Sequence, residues 1–302
     1  MKFFYLAHSI MSLECLKGLV ANNLIPGLAV IHKSLNRMKP EKEFYIPVKE
    51  FCLENKIELS ETDDIKELKE KLSEFNIGVC VGFMSILKKE IFSIPEYGIL
   101  NYHCGKLPEY RGRAPISRSI MNGEEFLTIT VHQIDEGVDS GDICKEYKIK
   151  ISKEDDVNTL YHKCSGVSSV IISECLGDIK ERKLNFSKQI SDKPANKIIS
   201  DEERKINWNE NANAIFNKIR ALTFPYPCAY FYFNNKKYLI LKSIPVSENV
   251  KSESVAGTVT SMSDYKIEIE TGEGKLIISS ITDEYLKEIK FKEQFKTGDL
   301  FK

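Results

Sequence analysis

Short apolar runs alternate regularly with segments of helical period along the first half of the chain. Phe3–Leu6 and Leu28–Ile31 are β-rich runs, and Met11–Asn22 between them has apolar residues at helical spacing. Ile77–Phe83 is mostly apolar, as expected for a strand that is buried on both faces of a sheet. Because parallel strands need crossover connections that are usually helical, the alternation predicts an α/β domain on a parallel sheet.

The pattern changes after a polar segment, Lys180–Asn196, that contains Pro194. A helical period follows over Trp208–Ala221, and from Ala229 onward short strand-like runs alternate with turn residues. Short strands at this spacing are typical of a small barrel. We therefore predict a domain over 1–185, a linker over 186–203 and a barrel-like domain over 204–302.

Composition and charge exclude several classes of protein. The 302 residues include 43 Lys and Arg and 44 Asp and Glu, so the chain lacks the basic excess of many nucleic-acid-binding proteins. No apolar run approaches the ~18 residues of a membrane span, and Met1–Ala7 lacks the features of a signal peptide. The eight cysteines are scattered without a C-x-x-C pair, which favours reduced thiols in a cytoplasmic protein without a metal site.

Polar residues that could carry chemistry follow two of the predicted strands. Asn101 and His103 are two residues apart at the end of an apolar run, so both project to the same side of an extended segment. The loop Leu107–Pro115 contains two arginines, and the loop Asp135–Asp142 contains three aspartates and two glycines. In parallel α/β sheets, ligands bind at the carboxyl ends of strands, which makes these loops candidate binding segments.

Residue type suggests what this constellation can do. With an ordinary pKa near ~6.5, the ring of His103 can accept a proton from an amine, and the Asp139 carboxylate could orient it. The amide of Asn101 could donate a hydrogen bond to an oxyanion. The three together suit acyl or formyl transfer to an amine, although an N-x-H pair alone is also compatible with a structural role. We interpret His8 and His132 as structural and Cys104 as a packed thiol.

The residues Asn101–Gly112 resemble the N-x-H…L-P-x-x-R-G signature of the folate-dependent formyltransferases, and Asp135–Ile143 is similar to their D-x-G-x-D-x-G-x-I signature. Ile206–Trp208 and Ile219–Pro227 resemble the start of the family's barrel-like C-terminal domain. The resemblance implies a Rossmann-like catalytic domain followed by a small OB-like β-barrel. It also implies that Asn101, His103 and Asp139 are the catalytic residues, with Asp139 rather than Asp142 as the carboxylate.

The same resemblance implies that the co-substrate is 10-formyltetrahydrofolate and that no metal is needed. The folate contacts that it implies come from three segments of the first domain. They are Ser85, Ile86 and Leu87, then Arg113, and then Asp135, Glu136, Gly137, Val138 and Asp139.

Two features bear on the amine that receives the formyl group. Arg111–Pro115 is similar to the R-G-R-A-P of the domain that formylates UDP-4-amino-4-deoxy-L-arabinose, and Pro40–Tyr45 resembles a short loop of that domain. Residues 201–302 contain 15 Lys and Arg and 15 Asp and Glu, whereas a domain that grips tRNA is expected to be basic. We therefore predict an amino-sugar nucleotide as the acceptor.

Three alternatives stay open at this point. Methionyl-tRNA is the strongest of them, and some relatives formylate a hydroxylated amino acid. The third alternative, an RNA-binding or interaction module on an inactive transferase, predicts a broken catalytic triad or a basic barrel. The oligomeric state is open, with a homodimer as one expectation.

Overall fold

The computed structural model describes residues 1–33, 48–83, 85–246 and 254–302. The strands are β1 (Phe3–Ala7), β2 (Leu28–Ile31), β3 (Leu59–Glu61), β4 (Ile77–Val81), β5 (Ile99–His103), β6 (Phe126–Gln133), β7 (Ile143–Lys150), β8 (Tyr230–Phe233), β9 (Lys236–Val246), β10 (Val259–Met262), β11 (Ile267–Glu270) and β12 (Lys275–Asp283). The helices are α1 (Ile10–Ala21), α2 (Val48–Glu54), a 3₁₀ helix (Ile65–Leu68), α3 (Lys69–Leu72), α4 (Lys89–Phe92), α5 (Pro115–Met121), α6 (Val157–Lys180), α7 (Asp201–Arg204), α8 (Ala212–Ala221) and α9 (Phe291–Gln294).

The chain forms two compact units. The first comprises Met1–Pro115, Phe126–Lys150 and Thr159–Lys197, and the second comprises Ile116–Glu125, Ile151–Asn158 and Ile198–Lys302. Each unit contains one of the two sheets. The domain boundaries predicted at 185/186 and 203/204 stay a prediction.

The first unit contains a seven-stranded sheet in the order β3-β2-β1-β4-β5-β6-β7. The strands from β3 to β5 are parallel, and every residue of β1, β2 and β4 is buried. Helix α1 begins at an N-cap, Ser9, whose side chain accepts a hydrogen bond from the Ser12 backbone, as capping serines commonly do. The predicted α/β fold is confirmed.

The last two strands of this sheet depart from the parallel arrangement. Strand β6 pairs antiparallel with β5, and β7 pairs antiparallel with β6. This register places Asn101 directly opposite His132. The antiparallel return therefore adds an imidazole to the strand end that carries Asn101 and His103.

The second unit contains a five-stranded antiparallel sheet in the order β10-β11-β12-β9-β8. Its core is aromatic: the ring of Phe231 stacks on Phe301 at a centroid distance of 4.4 Å, and Trp208 meets the same ring edge-on at 5.8 Å. The sequence predicts a small OB-like β-barrel over residues 204–302, and the curled antiparallel sheet found there is consistent with that fold class. Helix α8 begins four residues later than predicted because the Asn211 side chain caps it at the Ala214 N–H.

None of the helices among the described residues is both long enough and apolar enough to cross a bilayer. The Pro40–Tyr45 segment, whose sequence resembles a loop of the arabinose-modifying domain, lies outside the described residues.

Candidate active site

The structure brings Asn101, His103 and Asp139 together at the carboxyl end of β5. Asn101 Nδ2 lies 3.2 Å from Asp139 Oδ1, and His103 Nδ1 lies 3.6 Å from Asp139 Oδ2. The side chains of His103 and Asp139 are 8% and 18% exposed, so solvent screens their contact only weakly. The three residues singled out in the sequence therefore form one cluster.

The hydrogen bonds of His103 indicate which ring nitrogen can accept a proton. His103 Nε2 lies 2.8 Å from the carbonyl oxygen of Tyr110, and a carbonyl only accepts, so Nε2 carries a hydrogen. The neutral ring then keeps its lone pair on Nδ1, which faces Asp139. Burial lowers the pKa of His103 and the neighbouring His132 lowers it further, while Asp139 and the Tyr110 carbonyl raise it. Because the net direction is downward, the ring is neutral and able to accept a proton at neutral pH.

Asp139 is held by contacts on both carboxylate oxygens. Oδ2 accepts the backbone N–H of Gly112 at 2.9 Å, and Oδ1 lies 3.5 Å from His132 Nε2. Burial alone would raise the pKa of Asp139, but the imidazoles of His132 and His103, when they are protonated, and the Gly112 N–H outweigh burial and hold the pKa at about 2. The Asp139 carboxylate is therefore charged at neutral pH. Its backbone has a φ of +49°, which non-glycine residues adopt rarely.

His132, interpreted from the sequence as structural, lies within this cluster. Its Nδ1 donates to the carbonyl of Gln133 at 2.7 Å, which leaves Nε2 to accept the amide of Asn101 at 3.1 Å. Both amide hydrogens of Asn101 are thus directed at partners, one at His132 and one at Asp139. Only the antiparallel register of β5 and β6 indicates this contact, and the sequence carries no separate signal for it.

The polar segment Ser187–Asn196, named here the strap, also reaches the site. Asn196 N donates to the Arg111 carbonyl at 2.7 Å, and Arg113 N donates to the Asn196 carbonyl at 2.9 Å. Gly112, with a φ of +91°, lies between these bonds, where a Cβ would collide with the Asn196 backbone. The sequence predicts this segment as part of a linker, because polar composition does not reveal what its backbone pairs with.

A cavity of about 480 Å³ opens beside the cluster, within the size range of ligand sites. Nearly all residues expected from the resemblance to contact folate line it: Ser85, Ile86, Leu87, Arg113, Asp135, Gly137, Val138 and Asp139. Glu136 does not line it, and its 68% exposed side chain forms an ion pair with Lys89 at 3.2 Å. Ala195 and Asn196 of the strap complete the lining.

A smaller cavity of about 180 Å³ shares Phe83, Ser85 and Ile86 with the first one. Ser85 Oγ lies 3.1 Å from His32 Nε2, and the ring of His32 stacks on Phe83 at 4.2 Å. Burial lowers the pKa of His32. No motif in the sequence marks His32, because its partners follow a different strand.

An amide, an imidazole and a charged carboxylate beside a ligand-sized cavity at the strand ends of an α/β sheet define an enzyme suited to acyl-type transfer. Comparison with known proteins gives the family. Residues 26–176 match the formyl transferase family, and residues 198–298 match the C-terminal domain of formyl transferases. The chain belongs to the folate-dependent formyltransferase family, and the predicted family is confirmed.

The individual relatives differ in the acceptor that their names give. The methionyl-tRNA formyltransferase of Thermodesulfovibrio yellowstonii is 35% identical over 224 residues, which cover 72% of this chain and 71% of that protein. That of Clostridium novyi is 30% identical over 307 residues, covering 99% and 97%. A solved N-formyltransferase from Helicobacter canadensis, in complex with folinic acid and dTDP-3-aminofucose, has a TM-score of 0.69 at 19% identity, covering 92% of this chain and 98% of that one. This last likeness shows the fold.

Proposed function

We propose that this enzyme transfers the formyl group of 10-formyltetrahydrofolate to the amine of an amino-sugar nucleotide, with Asn101, His103 and Asp139 as its catalytic residues. The observation that carries the proposal is the contact between Asp139 Oδ2 and His103 Nδ1, made inside a buried cluster at the wall of the cavity. In this arrangement a neutral base faces a fixed negative charge. Taking up a proton then creates an ion pair where there was an uncompensated carboxylate.

The transfer forms one bond and breaks another. The amine nitrogen bonds to the formyl carbon while His103 Nδ1 accepts a proton from that nitrogen. The bond from the formyl carbon to the folate nitrogen then breaks, and His103 returns the proton to the departing nitrogen. Asp139 stabilises the imidazolium that exists between these two proton transfers, as does the Tyr110 carbonyl that accepts Nε2–H.

Asn101 is proposed to stabilise the formyl oxygen as it gains negative charge. Since both hydrogens of its amide are directed at His132 and Asp139, one of these bonds must be exchanged for the formyl oxygen. Asn101 would give up its bond to His132 rather than its bond to the Asp139 carboxylate, because hydrogen bonds to charged groups are the stronger ones. His132 would then hold the amide only until substrate arrives.

The cavity fits the co-substrate in size and in the character of its walls. Ile86 and Val138, 81% and 47% exposed, offer apolar surface for an aromatic ring system. Arg113 and Asp135 line the same cavity, where Arg113 can pair with the carboxylate tail of folate and Asp135 can accept hydrogen bonds from its pterin ring. These residues are proposed as folate contacts together with Ser85, Leu87, Gly137 and Asp139, whereas Glu136 would contribute only through its backbone.

Charge supports a small acceptor. In the second unit Lys218 contacts Glu210, Lys237 contacts Asp201 and Lys275 contacts Glu268, so these cations are already compensated. A surface that binds tRNA needs cations that are free to meet phosphates. The amino-sugar nucleotide in the Helicobacter canadensis complex is an acceptor of the class proposed here.

Methionyl-tRNA is the second candidate, because the curated relatives that match along both domains bear that name. A hydroxylated amino acid is a smaller acceptor that the same cavity would admit. The alternative of an inactive transferase is not proposed. Homodimer formation stays a prediction.

A folate-release assay with 10-formyltetrahydrofolate tests the proposal. UDP-, GDP- and dTDP-linked amino sugars are compared with methionyl-tRNA at equal concentration, and the His103→Ala variant is the control for enzyme-dependent release. Turnover with one amino sugar and none with tRNA would support the proposal. Turnover with tRNA alone, falling steeply as salt rises, would replace the sugar acceptor with tRNA.

A further inference from the structure

The strap connects two loops that are otherwise far apart in the sequence. At its C-terminal end Asn196 pairs with the backbone on both sides of Gly112. At its N-terminal end Ser187 forms a bridge with Ile143, just after the Asp135–Asp142 loop. Both loops contribute to one contact, because the Gly112 N–H donates to Asp139 Oδ2. The strap therefore holds the loop that carries Gly112 close to the loop that carries Asp139.

Gln189 lies on the strap opposite Asp139. Its side-chain amide nitrogen donates to the carbonyl of Asp139 at 3.0 Å and to the carbonyl of Gly141 at 2.7 Å. Both hydrogens of one amide group thus bind the backbone of the loop on either side of Ser140. Gln189 Oε1 is buried and has no hydrogen-bond partner among the described residues, so the amide is held by its nitrogen alone.

The two hydrogen bonds of Gln189 hold a part of the loop whose backbone conformation is energetically unfavourable by itself. Asp139 has a φ of +49°, a conformation that is uncommon for residues with a side chain and persists where the surroundings hold it. Inside the loop, Asp135 Oδ1 accepts from Gly137 N and Ser140 Oγ, but neither bond reaches the peptide that follows Asp139. In the described structure, the side-chain hydrogen bond to the Asp139 carbonyl comes from Gln189.

We propose that Gln189 is a positioning residue that holds Asp139 in the backbone conformation from which its carboxylate faces His103. The residue does not line the cavity, so it acts through Asp139 rather than on substrate. The inference rests on the proposed function for its kinetic readout, and on the geometry alone for its spectroscopic one.

The kinetic test compares Gln189→Ala and Gln189→Glu with Ile190→Ala, a change at a neighbouring strap residue that is 90% exposed. Removing the amide frees Asp139, and small displacements of catalytic groups can lower rates by up to about 10²-fold. We expect kcat to fall between about tenfold and 10²-fold in Gln189→Ala, with KM for 10-formyltetrahydrofolate within about threefold of wild type. Gln189→Glu keeps the shape of the side chain but places a carboxylate against two carbonyl oxygens, so its kcat should fall at least as far as that of Gln189→Ala. Ile190→Ala should match wild type.

The second readout does not depend on the acceptor. The titratable groups that face His103 are Asp139 and His132, and of these Asp139 raises its pKa. If Asp139 moves away, the pKa of His103 falls further below its ordinary value. The chain has five histidines, so ¹³C-histidine NMR gives five titration curves, with His103 assigned through His103→Ala. We expect the His103 curve to shift to lower pH in Gln189→Ala, which adds no charge, and to stay in place in Ile190→Ala.

A merely structural role would lower the folded fraction without moving the His103 curve. The proposal is overturned if the curve of His103 in folded Gln189→Ala coincides with that of wild type, or if kcat is unchanged in Gln189→Ala. These results leave the proposed function standing as long as Asp139→Asn still lowers kcat by about 10³-fold. If Asp139→Asn loses less than tenfold in kcat, the proposed function fails instead, while a shifted His103 curve would still support the positioning role.

Discussion

Replacing Asp139 by Asn removes one charge from the cluster and changes its shape very little. Asp139 Oδ2 and His103 Nδ1 are 3.6 Å apart. At an effective dielectric constant of about 20, two unit charges at this separation attract each other by about 4–5 kcal/mol. This energy is available only once His103 is protonated, which in the proposed mechanism happens as the amine attacks. Losing it should lower kcat by about 10³-fold.

The matched control is Asp142→Asn, which removes the same charge from the same loop three residues away. Both variants are measured by folate release over a range of pH, with thermal unfolding to show that each is folded. We expect Asp142→Asn to stay within about twofold of wild type, because Asp142 is not among the residues that line the cavity. The acid limb of the residual activity of Asp139→Asn should lie at lower pH, since Asp139 raises the pKa of His103. The reasoning would be refuted by a loss of less than tenfold in Asp139→Asn, or by equal losses in the two variants.

Three further predictions concern backbone geometry, acid stability and the second core. Gly112→Ala should lower kcat, measured by folate release, by at least about tenfold because a Cβ there collides with the strap backbone. Gly123 is the control, since it also has a positive φ but the nearest atom to its Cβ position lies at 3.4 Å, and Gly123→Ala should leave kcat unchanged. The pKa of Asp139 falls from 3.8 to about 2 on folding, so its contribution of about 2 kcal/mol to the free energy of unfolding is present above pH ~4 and lost as pH falls through ~2. In urea unfolding, the difference in stability between wild type and Asp139→Asn should therefore shrink over that pH range. A difference that stays constant would contradict this assignment. Phe231→Ala should destabilise the second unit by about 3–5 kcal/mol, whereas Tyr265→Ala, at an 83% exposed position, should cost under about 0.5 kcal/mol in the same unfolding experiment.

The sequence predicts most of the first sheet because its buried strands consist of continuous apolar residues. Strands β1, β2 and β4 are buried throughout and read as continuous apolar runs. Strand β3, Leu59–Glu61, is short and only partly buried, so no periodic pattern marks it. Strand β10, Val259–Met262, is also short, and its pairing with β11 determines its bounds rather than a local sequence pattern.

The positions of Asn101, His103 and Asp139 could also be predicted from the sequence, since two signature motifs at a characteristic separation carry them. Their assigned roles stay predictions until the variants are measured. The acceptor could not be derived in this way. Charge totals and a five-residue motif favour a sugar nucleotide, while overall identity to the curated relatives favours tRNA.

The contacts that other side chains make with Asn101, His103 and Asp139 are visible in the folded structure alone. His132 reaches Asn101 because β6 returns antiparallel to β5, and Gln189 reaches the Asp139 carbonyl across 50 residues of sequence. Neither contact produces a periodicity or a residue spacing in the sequence from which it could be predicted. Each consists of one or two hydrogen bonds between side chains and loop backbone. The sequence thus determined the sheet and the catalytic candidates through patterns that each segment carries by itself, and the fold determined their orientation through bonds that exist only when distant segments meet.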